Sequence, residues 1–379
     1  MGYIYLIGEL DSLNTYKIGV TKHKNIEKRI AELQTGNAKE LYVRTYFQSK
    51  YPYKLEKMLH IDDIKEKLAR NPEPDFVKET RENIIQSFSR LQFLEEGHKY
   101  FVHQDDGTTI SLPSVSHVCH QFQPEVDWEA IAQRKAIKEG IPKEELQRQW
   151  KENNIRSTNN GTITHEFGEA YMYFFQGRPE LMPERVKLQY EDGFLIPYGN
   201  KEKAICKFYE DIYRLDNFYP VMPEARIYTG LEGGGLDLSQ NYSGTFDMLF
   251  ACQIKGKWKL ILLDWKTNAS LENAFNQAKS NTLLNPFSYM IDEPKSIYTI
   301  QLSLYQMGLE QLGYEIADRK IIWLKDDGDY EKIFGKNEWL TLFCCFAPRW
   351  YCFFCCCLQA DTTKCYGYQH PHEISRSNH

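Results

Sequence analysis

The sequence predicts an α/β (α+β) protein made of two unequal units. Three observations point there. The first 65 residues alternate short apolar strands with amphipathic helical stretches. Later, three apolar strand segments lie between long helical patterns. The chain has 379 residues, which is more than one small domain needs and comfortable for two.

The elements follow in order. Tyr3-Ile4-Tyr5-Leu6-Ile7 alternates as a strand does, and a turn follows around Asp11 to Asn14. Tyr16-Lys17-Ile18-Gly19-Val20 is a second strand. From Ile26 to Gln34, Ile26, Ile30 and Leu33 recur on one helical face. A strand at Leu41 to Phe47 and a helix opening at Leu55 to His60 complete a β-β-α-β-α unit over residues 1–65. Residues 66–92 are mostly helical, broken by Asn71-Pro72-Glu73-Pro74, and read as a linker. The second unit covers 93–338. Its first strands, His98 to His103 and Thr108 to Leu112, flank the hairpin turn Asp105-Asp106-Gly107. Helical patterns run from Val115 to about Tyr173. Strands are expected at Val221 to Tyr228, Gly244 to Ile254 and Lys257 to Lys266, the last two joined by a turn at Lys255-Gly256. An apolar-faced helix at Tyr298 to Leu312 precedes a final strand at Lys320 to Leu324.

Composition narrows the function classes. With 42% hydrophobic and 26% charged residues, the chain is expected to fold rather than remain disordered. No run of 18 apolar residues occurs, so no membrane partner is expected. The start lacks the basic stretch and cleavage site of a secretory signal, and Leu6 stands where a myristoylation signal needs Ser or Thr. A cytoplasmic protein is expected. The net charge is −6, but residues 1–60 carry ten Lys and Arg against six Asp and Glu, a local balance of +4. An acidic total weakens non-specific phosphate binding, yet a metal ion in a carboxylate site neutralises phosphate locally.

Three segments of the second unit carry chemistry. In Gly161-Thr162-Ile163-Thr164-His165-Glu166-Phe167-Gly168-Glu169, His165 and Glu169 share a helical face. Gly244-Thr245-Phe246-Asp247-Met248-Leu249-Phe250 is an apolar strand with one acid. In Leu262-Leu263-Asp264-Trp265-Lys266-Thr267, Asp264 and Lys266 project to one side of a strand. A lone buried carboxylate is costly, and a bound cation is one reason for two to exist. Carboxylates from separate elements suit Mg²⁺, and a neighbouring lysine can orient water and stabilise charge at a phosphate.

Together with Gln301-Leu302-Ser303-Leu304-Tyr305 and the lead-in Leu112-Pro113-Ser114-Val115-Ser116, these segments resemble the RecB-like and phage-exonuclease branch of the PD-(D/E)XK nucleases, over roughly 95–335. That branch has G-T-x-x-H-x-x-x-E, then G-x-x-D, D-x-K and Q-x-x-x-Y. The resemblance implies a restriction-endonuclease-like mixed sheet flanked by helices. It implies Glu169, Asp247 and Asp264 as ligands of Mg²⁺ or Mn²⁺, with His165 as a further ligand, and Lys266 as the catalytic lysine. Gln301 and Tyr305 would contact DNA or support the site, and Glu224 would add a polar contact.

The first unit resembles the GIY-YIG nucleases. Tyr3-Ile4-Tyr5 and Tyr16-Lys17-Ile18-Gly19 occupy its two named motifs, and Arg29, Glu56 and His60 follow on helices. By this resemblance Tyr5 would help activate water, Arg29 would stabilise phosphate and Glu56 would hold a metal ion. Lys17 stands where the family usually has its second tyrosine, and Tyr16 precedes it. This unit is expected to be a nuclease or a DNA-binding domain.

The ten cysteines are unevenly spread. Cys119, Cys206 and Cys252 are scattered, and seven lie between Cys344 and Cys365. Residues 339–379 show neither period nor turn logic, and a non-native segment is expected there rather than an iron–sulfur cluster. The expected function is metal-dependent hydrolysis of double- or single-stranded DNA, in phage or mobile-element DNA processing or recombination. The alternative is a catalytically inactive DNA-binding or assembly protein with nuclease-like folds.

Overall fold

The computed structural model describes residues 2–9, 16–22, 26–35, 40–49, 72–188, 190–191, 194–213, 215, 217–231 and 241–334. It is a mixed α/β structure whose sheets are small apart from one of five strands.

In the first unit β1 (Gly2–Glu9) lies between β2 (Tyr16–Thr21) and β3 (Leu41–Ser49), antiparallel to both. The register sets Tyr5 opposite Gly19. A Cβ at Gly19 would lie 2.5 Å from the Tyr5 ring, so only glycine lets that ring rest across β2. Helix α1 (Ile26–Gln34) turns its expected stripe of Ile26, Ile30 and Leu33 onto Tyr5 and Ile7. Removing this stripe from water is what holds a nine-residue helix, which would be marginal alone.

Helix α2 (Asp75–Ser87) falls in the segment expected as a linker. It buries Val77, Thr80 and Ile84, and Arg81 Nε donates to the Val221 carbonyl at 2.6 Å. A three-stranded antiparallel sheet follows: β4 (Leu91–Leu94), β5 (Lys99–His103) and β6 (Thr109–Leu112). Gly107 closes the β5–β6 turn at φ 82°. Helix α3 (Val115–His120) is capped by Ser114, whose Oγ accepts from the His117 amide at 3.1 Å. Helix α4 (Trp128–Glu139) starts at an Asp127 cap and stops at Gly140, φ 67°.

Helix α5 (Lys143–Phe175) has two characters. Residues 151–160 are exposed on every side, whereas Thr164, Phe167, Gly168, Tyr171, Met172 and Phe175 are buried at three- and four-residue spacing. The short α6 (Glu184–Lys187), β7 (Tyr190–Glu191) and β8 (Phe194–Leu195) lead to α7 (Asn200–Tyr213).

The main sheet is then laid down as β9 (Phe218–Tyr228), β10 (Ser243–Ile254) and β11 (Lys257–Lys266), an antiparallel run. Lys255 and Gly256 both have positive φ, as a tight two-residue hairpin requires. Parallel pairing of β11 with β12 (Ile316–Leu324) demands a crossover, which contains α8 (Ala274–Lys279) and α9 (Pro294–Glu310). The strand β13 (Tyr330–Phe334) pairs antiparallel at the edge, giving the order β13-β12-β11-β10-β9. The sequence reading ended the sheet at Leu324. Tyr-Glu-Lys-Ile-Phe has too little apolar signal to announce a strand, and its charges suit an exposed edge.

Alternation along β11 builds two cores. Leu260 and Leu262 pack with α9 residues such as Leu304 and Leu309. Leu263 and Trp265 pack with Phe167 and Met172 of α5 and Phe208 of α7. Gly168 sets the depth of α5 on the sheet, because a Cβ there would come within 2.5 Å of Trp265 Nε1. Overpacking of this kind costs about 1–3 kcal/mol. Gly168→Ala should therefore lower unfolding free energy by about that much in urea titrations. Adding Trp265→Phe should recover part of the loss; strict additivity of the two changes would show that they do not meet.

Candidate metal centre

The site begins where two strands part. The last β10–β11 pair is Met248–Leu263, and continuing the register would set Asp247 opposite Asp264. Instead the Asp247 carboxylate reaches across and Oδ2 accepts the Trp265 amide at 2.6 Å. A side chain thus supplies the acceptor that a ladder carbonyl would have supplied. The other oxygen, Oδ1, accepts from His165 Nδ1 of α5 at 3.2 Å. On the opposite neighbour, the pairs Phe246–Ala225 and Met248–Pro223 bracket Asp247 and Glu224. Glu224 has φ 45°, a left-handed conformation costly for a residue with a side chain. One ligand atom each from His165, Glu224 and Asp247 lies within 4.8 Å of the others.

Asp264 and Lys266 stand beside this group. Asp264 is 2% exposed and Asp247 8%. The Lys266 ammonium ion-pairs with Asp264 Oδ2 and sits 4.2 Å from the centre of the Tyr298 ring. From α9, Gln301 Nε2 donates to the Tyr305 hydroxyl at 3.0 Å. Tyr305 lies against Gly244, where a Cβ would come within 2.8 Å of its ring and 2.9 Å of Val115. The glycine of one motif is therefore the seat of the tyrosine of another.

Burial, and after it charge crowding, perturbs Glu169, Glu224, Asp247 and Asp264. Burial first, and then Glu166, pushes the Glu169 carboxyl up to about 7. Burial and the Asp247 charge push Asp264 up to about 6, against the pull of Lys266. Burial also drives Glu224 well above the carboxylate range, with Asp247 and Glu169 adding to it. Asp247 goes the other way: burial would raise it, but His165, Lys266 and the Trp265 amide together outweigh burial and lower it. Burial would lower His165 and Lys266, yet Asp247 raises the imidazole, and Asp264 with Asp247 raises the ammonium.

Most residues singled out from the sequence meet here. His165, Glu169, Asp247, Asp264, Lys266, Gln301 and Tyr305 line one cleft of about 1220 Å³. Glu169 and Asp264 lie in the cleft but outside the tight His165–Glu224–Asp247 group. Glu224, expected only as an added contact, is inside that group. Arg226 and Tyr298 were not singled out. Arg226 lines the cleft with its guanidinium 5.3 Å from the Phe93 ring centre. Its position two residues after Glu224 on a strand was the available signal. The donor set fits a divalent cation: carboxylates for a hard ion, with an imidazole that suits Mn²⁺ alongside Mg²⁺.

In the first unit the structure brings Tyr5 and Arg29 together. The hydrogen bond that Arg29 donates to the Tyr5 hydroxyl oxygen, and after it the one to Glu32, raises the Arg29 guanidinium; Nη1 donates to Glu32 Oε2 at 3.0 Å. The register places Lys17 opposite Ile7 and Tyr16 opposite Gly8. Glu56, His60 and the cysteines from 344 to 365 lie outside the described residues. The described cysteines Cys119, Cys206 and Cys252 are buried thiols.

No protein-family model matches this sequence, and no curated protein matches it. No helix among the described residues is long and apolar enough to cross a membrane.

The shifted acids set a stability prediction. A carboxyl raised in the folded state keeps a proton that the unfolded chain releases near pH 4. Its stabilising share is complete below that value and lost as pH rises through the folded value. Glu224, Asp264 at about 6 and Glu169 at about 7 all act in this sense, and so does the raised His165. Asp247 acts oppositely, but its share is already complete above pH 4. The urea midpoint in EDTA should fall from pH 5 to pH 8, and Glu224→Gln should flatten that fall. A profile unchanged by the substitution would show that Glu224 is not crowded.

Proposed function

We propose that this chain is a metal-dependent nuclease that hydrolyses DNA phosphodiester bonds in the cleft between α5, β9–β11 and α9. The observation that carries the reading is the convergence of Asp247, Glu224 and His165 within ligand distance, beside a buried Asp264–Lys266 pair. Four carboxyls crowd here at low solvation, with Glu224 and Asp264 pushed toward their neutral forms, a cost few structural roles require. The motif order quoted for the PD-(D/E)XK resemblance supports the reading, as does a mixed sheet flanked by helices.

His165, Glu224 and Asp247 would hold the ion, with Glu169 and Asp264 completing the acidic wall. Mg²⁺ or Mn²⁺ bound there would neutralise phosphate charge and acidify a water molecule. The protein's own groups do the rest. Lys266 is held charged by Asp264 and Asp247, so it acts as a donor to a phosphate oxygen or to the attacking water, not as a base. Tyr298 and Asp264 fix its ammonium and limit the reorganisation needed during reaction. Arg226, pre-oriented on Phe93, offers a planar fork suited to a phosphate at the cleft mouth. The Tyr5–Arg29 pair is proposed as a second, GIY-YIG-like nuclease or DNA-binding surface. The action fits phage or mobile-element DNA processing in the cytoplasm.

Purified protein should cut linear DNA with Mg²⁺ or Mn²⁺ and fail in EDTA. Lys266→Ala and Asp264→Asn should each slow cleavage by about 100-fold or more, a typical loss for one transition-state donor. Activity that survives Lys266→Ala and disappears with Arg29→Ala would belong to the first unit. Wild-type protein that binds DNA but cuts neither single- nor double-stranded substrates with either ion would replace this reading by the non-catalytic one.

A further inference from the structure

A second groove of about 940 Å³ adjoins the metal cleft. Ser116, Lys266 and Gln301 line both, so Lys266 stands where the two meet. Two aromatic rings stand exposed along it. Trp128, at the start of α4, is 65% exposed, and Phe275, on α8, is 67% exposed. Neither ring is needed for the core, and leaving such surface in water is unfavourable.

The charge of the groove restricts its occupant. Of its four acids, Glu125, Asp127, Asp292 and Glu293, three serve the protein's own structure: Asp127 caps α4, Asp292 accepts from Gln123 at 2.9 Å, and Glu293 accepts from Gln277 at 2.9 Å. They still leave the walls negative, which disfavours a row of phosphates. Flat, uncharged rings with polar edges are compatible with these walls, and amide groups such as those of Gln123 and Asn281 border the space. Arg134 also lines the groove and donates through Nε to the Ala130 carbonyl, at 3.3 Å.

We propose that this groove holds unpaired nucleobases of the strand whose phosphate reaches Lys266, with Trp128 and Phe275 as stacking surfaces. The inference rests on the nuclease reading for the identity of the strand. It implies a preference for single-stranded or frayed ends. Stacking on aromatic rings tolerates any base, because every base has a π face.

The test uses the full chain with Ca²⁺ in place of Mg²⁺, so that the acids are neutralised while hydrolysis is slow, and fluorescein-labelled oligo(dT) followed by anisotropy. Trp128→Ala and Phe275→Ala should each weaken oligo(dT) binding by about tenfold, the typical loss for one stacked base. Binding of a blunt duplex should change less than twofold, and the salt dependence should be unaltered because no phosphate contact is lost. Trp128→Tyr should keep most of the affinity and Trp128→Leu should not. Circular dichroism confirms that these surface variants fold. Wild-type affinity in both alanine variants, or equal rescue by leucine and tyrosine, overturns the proposal. So does a change in sedimentation of the DNA-free protein with oligo(dT) binding intact, which would assign the rings to a protein interface. Failure of the nuclease reading is separable, since cleavage by wild type and Lys266→Ala is measured apart from this binding.

Discussion

The hydrogen bond from the Trp265 amide to Asp247 is the contact on which the rest of the site depends. Strands β10 and β11 pair regularly up to Met248–Leu263 and then separate. Separation exposes a backbone donor that water cannot reach, since Trp265 is buried. Asp247 satisfies it with one oxygen and directs the other at His165. That one carboxylate thereby ties β10 to β11 and both to α5. It also opens the gap into which Asp264 and Lys266 project. Were the ladder to continue, two carboxylates would face each other across a closed sheet with no room for a ligand.

Three glycines keep the neighbouring surfaces close enough for this to matter. Gly168 lets α5 settle on Trp265, which brings His165 to Asp247. Gly244 admits Tyr305, which carries the Gln301 hydrogen bond on α9 to the edge of the cleft. Gly19 admits the Tyr5 ring in the first unit, beside Arg29. Each pairs an absent side chain with an aromatic ring on another element. The close packing is short-ranged, so a single methyl group is enough to disturb it.

Much of this was legible in the sequence, and most of what was not has a common cause. Apolar runs mark β10 and β11, and the lone acid in each marks Asp247 and Asp264. Helical spacing places His165 and Glu169 together. Pairing register is different, because it is decided by contacts between segments far apart in the chain. Glu224 was therefore visible as an acid on a strand but not as the partner of Asp247. Its positive φ has no sequence signature, since glutamate does not favour that region. Arg226 and Tyr298 carry no motif either, and their relevance comes from Phe93 and Lys266, which only the fold brings near. Helix α7 went unread although Ala204, Ile205, Phe208, Tyr209 and Ile212 recur at helical spacing, and strand β13 is five residues long, too short for its pattern to stand out.

On the nuclease reading, an acidic protein has to resolve a conflict of charge with DNA. The cleft presents Glu169, Glu224, Asp247 and Asp264 against Lys266, Arg226 and His165. Deprotonated, those acids repel a phosphodiester. Protonated, they no longer repel it, but they are poor ligands. A divalent cation removes the conflict by taking the carboxylates as ligands and presenting positive charge outward. On the nuclease reading, productive substrate binding and metal binding are then one linked event, not two independent ones. On the same reading, the basic balance of residues 1–60 would supply a metal-independent attraction at the other end of the chain. Encounter with DNA and commitment to cleavage would thus be driven by different charges on different units, which is a physical reason for joining them in one polypeptide.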